Sequence, residues 1–194
     1  MPRITDVVKH LIILNVLMFL GTNIIFSDYV PWLYMHFNSP YFQPFQLVTH
    51  MFMHANFQHL IFNMFGLYMF GSAVEHAMGP KKFLFYYFSC GFGSMVLHIV
   101  YLLLTTGFGV FLGASGAIFG ILAAYAMLFP DREVFLIFPP ILIKALPLVL
   151  IYGAIELFLG FSGVKDGVAH FAHLGGAIFG VLLILYWRKF GTNL

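Results

Sequence analysis

Six apolar stretches dominate the chain, at residues 10–26, 57–78, 81–105, 113–129, 141–160 and 168–187, with turn residues or charges between them. Each predicts a membrane helix, because a chain in lipid must satisfy its own backbone hydrogen bonds. The first is short, and the fourth is shorter than the roughly 20 residues a full crossing needs. A short helix is acceptable where its outer end stops inside the protein and lines a cavity. Between the first two stretches, the segment from Ser27 to Asn56 carries Tyr29, Trp32, Tyr34, Phe37, Tyr41, Phe42 and Phe45, broken by Pro31, Pro40 and Pro44. Aromatic rings at this density favour the headgroup region, so the first external loop (27–56) is expected to lie partly within the outer leaflet.

Composition sharpens this picture. Of 194 residues, 61% are hydrophobic and 8% charged, against roughly 25% charged in soluble domains. With a mean hydropathy of +0.95, the solvent for this surface is lipid. A net charge of +2 is too small to point to a nucleic-acid partner, and one cysteine, Cys90, excludes an internal disulfide framework. The first apolar run has no small-residue cleavage site after it and reads as an anchor. One compact membrane domain over residues 1–194 is expected. Arg3 and Lys9 precede the first stretch, Lys81 and Lys82 follow the second, and Arg132 and Lys144 lie around the start of the fifth. Arg188 and Lys189 follow the sixth, and Lys165 alone falls on the opposite side. The positive-inside rule then predicts an all-α membrane protein of six spans with N- and C-termini cytoplasmic.

Polar groups inside such helices are expensive, so each asks for a reason. They are His59, Asn63 and Glu75 in the second span, Ser115 opening the fourth, Glu156 in the fifth, and His170 and His173 in the sixth. Ser72, Ser89 and Ser94 read as helix-packing hydroxyls. Ser115 to Pro130, and His173 to Arg188, are each about 15 residues, or roughly 22 Å of helix; Asn63 to Gly79 is about 16 residues, or roughly 24 Å. Three polar side chains on three helices therefore share one depth. His59 and Asn63, spaced i, i+4, share a helix face, as do His173, Gly176 and Gly180. The pentapeptide GAIFG occurs at Gly116–Gly120 and again at Gly176–Gly180. Each is a G-x-x-x-G, which predicts close apposition of the fourth and sixth helices.

The constellation fits nucleophilic catalysis. A serine hydroxyl needs a positioned base, which His173 supplies. The Ser115 amide at a helix N-terminus is a donor for an oxyanion, with the His59 and Asn63 side chains as further donors. Gly113 and Gly116 permit a sharp loop-to-helix turn and close approach of a substrate backbone. No acidic residue sits in the sixth span, and Asp166 lies in the loop before it, so a Ser–His dyad is expected rather than a triad. Glu156 is assigned to an interhelical hydrogen bond. His50, His54, His59, His170 and His173 are numerous enough to be metal ligands in a transporter or metal-handling protein. No carboxylate or cysteine accompanies them at zinc-protease spacing, and H-E-x-x-H does not occur, so no metal is expected.

HANFQHLIFN (54–63) resembles the H-x4-H-x3-N of the rhomboid intramembrane proteases, GASG (113–116) their G-x-S-G, and AHLGG (172–176) their A-H-x-x-G. EHAMG (75–79) is similar to their acidic-x-x-x-glycine near the inner end of the second span, and the resemblance runs nearly end to end. It implies a six-span rhomboid-like bundle that cleaves transmembrane or juxtamembrane segments of other membrane proteins without a cofactor. By resemblance, Ser115 is the nucleophile and His173 the general base. His59, Asn63 and the Ser115 amide form the oxyanion hole, with Gly113 and Ala114 flanking the nucleophile and His54 in support. His170 does not match the catalytic position. A small side chain at the cleaved residue and substrate entry between the second and fifth spans are also implied.

Two residues depart from the family pattern. Phe45-Gln46 stands where the family has Trp-Arg, which removes a charged anchor from the first loop, and Phe119 stands where a Tyr often stacks on the histidine. The alternative reading is a non-catalytic rhomboid-like protein that binds membrane helices. A compact chain without targeting extensions suits a bacterial inner membrane.

Overall fold

The computed structural model describes residues 3–25, 30–136, 139–164 and 167–191; the expectations placed on Ser27, Tyr29, Lys165 and Asp166 lie outside the described residues. Helix α1 (Asp6–Leu20) continues into a π turn, Gly21–Ile25. Its start is secured by a side chain distant in sequence. Glu75 accepts hydrogen bonds from the Thr5 hydroxyl and from the Val7 and Val8 amides, the latter at 3.1 and 2.9 Å. The opening turn of a helix presents unpaired N–H groups and a partial positive charge, and a carboxylate answers both.

The first loop holds α2 (Val30–Leu33), β1 (Met35–Phe37), α3 (Gln46–Thr49) and a 3-10 turn (His50–Phe52). Gln46 is fully buried at its centre. Its Nε2 donates to the carbonyls of Trp32 (2.9 Å) and Tyr41 (3.0 Å), and its Oε1 accepts the His36 amide at 3.2 Å. In place of a charged anchor, this neutral amide ties three backbone groups.

Asn56 caps α4 (Phe57–Gly66) by accepting the His59 amide at 2.8 Å. The helical run continues through a π turn (Leu67–Gly71) and α5 (Ser72–Met78). Gly79, at φ +80°, ends it, and Pro80 opens α6 (Pro80–Leu104), whose 25 residues make it the longest helix. After β2 (Gly109–Phe111) comes α7 (Ser115–Leu128), and its 14 residues span only about 21 Å. Strands β3 (Glu133–Leu136) and β4 (Ile141–Lys144) lead to α8 (Ala145–Ser162) and α9 (His170–Lys189).

Among the described residues, four segments are long and apolar enough to cross a membrane: Asp6–Asn23, Pro80–Leu104, Ala145–Ser162 and His170–Lys189, with Ser115–Leu128 a shorter apolar helix. The chain is mostly helical, as expected, and among the described residues two short antiparallel strand pairs tie its loops together. In one, Met35 faces Phe111 and Phe37 faces Gly109, so the first loop is stitched to the segment that delivers Ser115. In the other, Glu133 faces Lys144, so residues 141–144 form a strand rather than the start of the fifth span. Lys144 is still extended (ψ 147°), so the helix begins only at Ala145.

The core lies where α6, α7 and α9 meet, with Phe83, Tyr86, Tyr87, Cys90, Ile121 and Ile184 fully buried. The expected apposition of the two GAIFG segments is present. A Cβ placed on Gly176 would come 2.6 Å from the carbonyl carbon of Gly116 and closer still to its oxygen. Helix α8 is peripheral: it buries Ala145, Leu148 and Glu156 while Phe158 and Phe161 are more than 70% exposed. A surface so apolar is compatible with lipid and not with water.

Candidate active site

Ser115 is the first residue of α7, and Gly113 sets the turn that delivers it. Gly113 has φ +124°, and a Cβ there would meet the His59 ring at 3.0 Å. Only glycine suits that combination. Its amide donates to the His50 carbonyl at 2.8 Å, which anchors the turn to the first loop. Ala114, fully buried, is the helix N-cap, and its carbonyl accepts the Ile118 amide at 3.1 Å. Ser115 thus sits in the opening turn of α7, where amides have no intrahelical acceptor.

His173 comes from the first turn of α9. Its Nε2 lies 2.8 Å from Ser115 Oγ, the geometry of a hydroxyl donating to an imidazole. The ring is fixed from one face by Phe119, at 4.4 Å between centroids and 8° between planes. Phe119 stands four residues after Ser115, so one turn of α7 carries both the hydroxyl and the surface that orients its partner.

His59 is brought to the site through its contact with the Gly113 position. The His54 ring packs edge-on to it at 5.1 Å. Asn63 is buried one turn further along α4, and its Nδ2 donates to the His59 carbonyl at 2.8 Å. One of its two N–H donors is thereby committed to the helix backbone. His50 is engaged elsewhere, its Nδ1 2.7 Å from the Gln46 carbonyl. Among the described residues, no group of three or more His, Cys, Asp and Glu is placed to hold a metal ion.

No acidic residue lies on α9, but α8 supplies one. Glu156 of α8 reaches between two imidazoles of α9. Its Oε2 accepts from His170 Nδ1 at 2.7 Å, the interhelical hydrogen bond expected for this carboxylate. Its Oε1 lies 3.1 Å from His173 Nδ1, at ion-pair distance but off the line of a hydrogen bond. The side chains of Glu156 and His173 are only 11% and 12% exposed, so the charge acts with little screening. Depth was the available signal. Glu156 lies about 12 residues, or roughly 18 Å of helix, beyond Lys144, within one turn of the depth of His173.

Comparison with known proteins matches residues 41–190 to the Rhomboid domain family. The chain is 33% identical over 142 residues to the mitochondrial presenilin-associated rhomboid-like protein of Bos taurus, covering 71% of this chain and 37% of that protein. It is 31% identical over 186 residues to the chloroplastic rhomboid-like protein 11 of Arabidopsis thaliana, covering 93% of this chain and 65% of the relative. It is 30% identical over 142 residues to the mitochondrial rhomboid protein 1 of Saccharomyces cerevisiae, covering 71% and 40% respectively. The chain thus spans less than two thirds of the length of these relatives. The expectation of a bacterial inner membrane is corrected here, since these relatives are named for mitochondria or chloroplasts. An apolar pattern reports that a chain sits in a bilayer, not which bilayer.

Proposed function

This chain belongs to the rhomboid family, and from that premise we propose that it is an intramembrane serine endopeptidase. The observation that carries the reading is the 2.8 Å approach of Ser115 Oγ to a histidine held flat against Phe119. The two polar groups come from different helices, inside a chain whose remaining surface suits lipid. Packing alone gives no reason for such a pair, whereas hydroxyl activation does.

In the proposed reaction, His173 Nε2 takes the Ser115 proton as Oγ attacks the scissile carbonyl carbon. The developing oxyanion is met by the Ser115 amide and by donors from His59 and Asn63. The proton then passes to the leaving amine as the C–N bond breaks. A water molecule, deprotonated by the same imidazole, releases the acyl group from Ser115. No cofactor, metal or nucleic acid takes part.

The substrates are membrane proteins with segments that can unwind, since an intact helix keeps its carbonyls in internal hydrogen bonds. A small side chain at the cleaved residue and entry between the second and fifth spans belong to the same reading. So does a single domain of six spans, with the helical run from α4 to α5 and the short α7 completing the set. Both termini are then on the basic side of the membrane, and the first loop is partly embedded in the opposite leaflet.

The test is cleavage of a tagged single-span protein in reconstituted vesicles by the parent chain, Ser115→Ala and His173→Ala. Loss of either residue from a comparable soluble site lowers kcat on the order of 10⁶-fold, so both variants are expected to be silent. Cleavage by the serine variant at the parent rate rejects the proposal.

A further inference from the structure

Glu156 has a carboxylate oxygen for each of two imidazoles on successive turns of α9. We propose that it is a positioning residue for the Ser115–His173 pair, so that the site works as a Ser–His–Glu arrangement whose acid comes from a neighbouring helix. This rests on the protease reading above.

The bond to His170 fixes one oxygen at 2.7 Å and so aims the other at His173 Nδ1. A carboxylate facing Nδ1 favours the tautomer with its proton there. That tautomer leaves Nε2 with a lone pair, as an acceptor for the Ser115 hydroxyl 2.8 Å away. When Oγ bonds to the scissile carbon, the carbonyl π pair moves to its oxygen and the serine proton moves to Nε2. The imidazolium so formed has its positive charge beside the Glu156 carboxylate, which stays ionised throughout. Contacts of this kind are often poorly aligned before substrate binds and shorten as charge develops. The off-line 3.1 Å approach fits that behaviour. His170 acts through Glu156 and holds its rotamer.

Position supports the same role. Helix α8 is otherwise a lipid-facing element, with Leu150, Phe158 and Phe161 exposed, yet its one acid is turned inward. An intramembrane carboxylate placed only to join two helices needs a single partner, and this one has two imidazoles, one of them already on the nucleophile.

The test compares the parent chain with Glu156→Gln, Glu156→Asp and Glu156→Ala, reading fluorophosphonate labelling, kcat and KM on a single-span reporter, and thermal unfolding in detergent. Glu156→Gln keeps shape and removes charge. It is expected to lower labelling and kcat by about 10²-fold or more, with KM and the unfolding midpoint unchanged. Glu156→Asp is expected to recover part of the rate, and Glu156→Ala none. Parent-rate labelling of Glu156→Gln overturns the proposal. So does a loss of rate in all three variants that follows their loss of stability, with no advantage for aspartate, because that outcome describes packing. A parent chain that does not label at all rejects the protease reading itself, and the two failures are therefore distinct.

Discussion

Replacing Gly176 with alanine tests how closely packing and chemistry are joined in this fold. The added Cβ would lie 2.6 Å from the Gly116 carbonyl carbon and 3.1 Å from its Cα, with the oxygen nearer still. These are backbone atoms within a helix and cannot swing aside, so α7 and α9 must part by about 1.5 Å to restore ordinary contact. Overpacking at this severity costs about 3 kcal/mol. Alanine returns about 1 kcal/mol of helix propensity, leaving a net loss of about 2 kcal/mol. Gly116 follows Ser115 directly, and Gly176 lies one turn from His173, so the separation falls on the 2.8 Å serine–histidine contact. A displacement of about 1 Å already lowers rate by about 10²-fold. Chemical unfolding in detergent and fluorophosphonate labelling measure the two effects. Gly153→Ala serves as the control, since nothing lies within 4 Å of a Cβ there. Parent-like stability and labelling in Gly176→Ala would refute the claim that glycine-mediated contact sets the site geometry.

Other substitutions separate the parts of the account. Gln46→Ala leaves three backbone groups of the first loop without their partner, and is expected to cost about 1–3 kcal/mol and to speed proteolytic nicking between Trp32 and Phe45. Glu75→Ala removes the cap from α1 and is expected to cost about 1–2 kcal/mol by thermal unfolding, with the labelling rate of the folded fraction unchanged. Phe119→Ala removes the ring stacked on His173. A loss of about 0.5–1.5 kcal/mol in orientation is expected to appear as a slower labelling rate with little change in KM.

Much of this was legible because helical spacing is local. The repeated GAIFG segments present their glycines on one face, and so announce which helices touch. G-x-S-G and A-H-x-x-G put a hydroxyl and an imidazole at matching depth. What escaped was pairing between distant segments. Glu156 has no motif around it, and its bond to His170 and approach to His173 arise from the angle at which α8 packs on α9. The pairing of Met35 with Phe111 is equally non-local, and it joins the first loop to the turn before Ser115. The role of Gln46 is hidden in the sequence for a different reason. The absence of a charge hid the hydrogen-bonding capacity of an amide, which suits a buried site better than an ion.

The central claim is that Ser115 is an activated nucleophile within the membrane. The most direct measurement is to react the chain in lipid vesicles with a fluorophosphonate and locate the adduct by mass spectrometry of the digested protein. A single adduct on Ser115 that disappears in His173→Ala is expected. An adduct on another residue, or reporter cleavage that persists in Ser115→Ala and is abolished by a metal chelator, would contradict it.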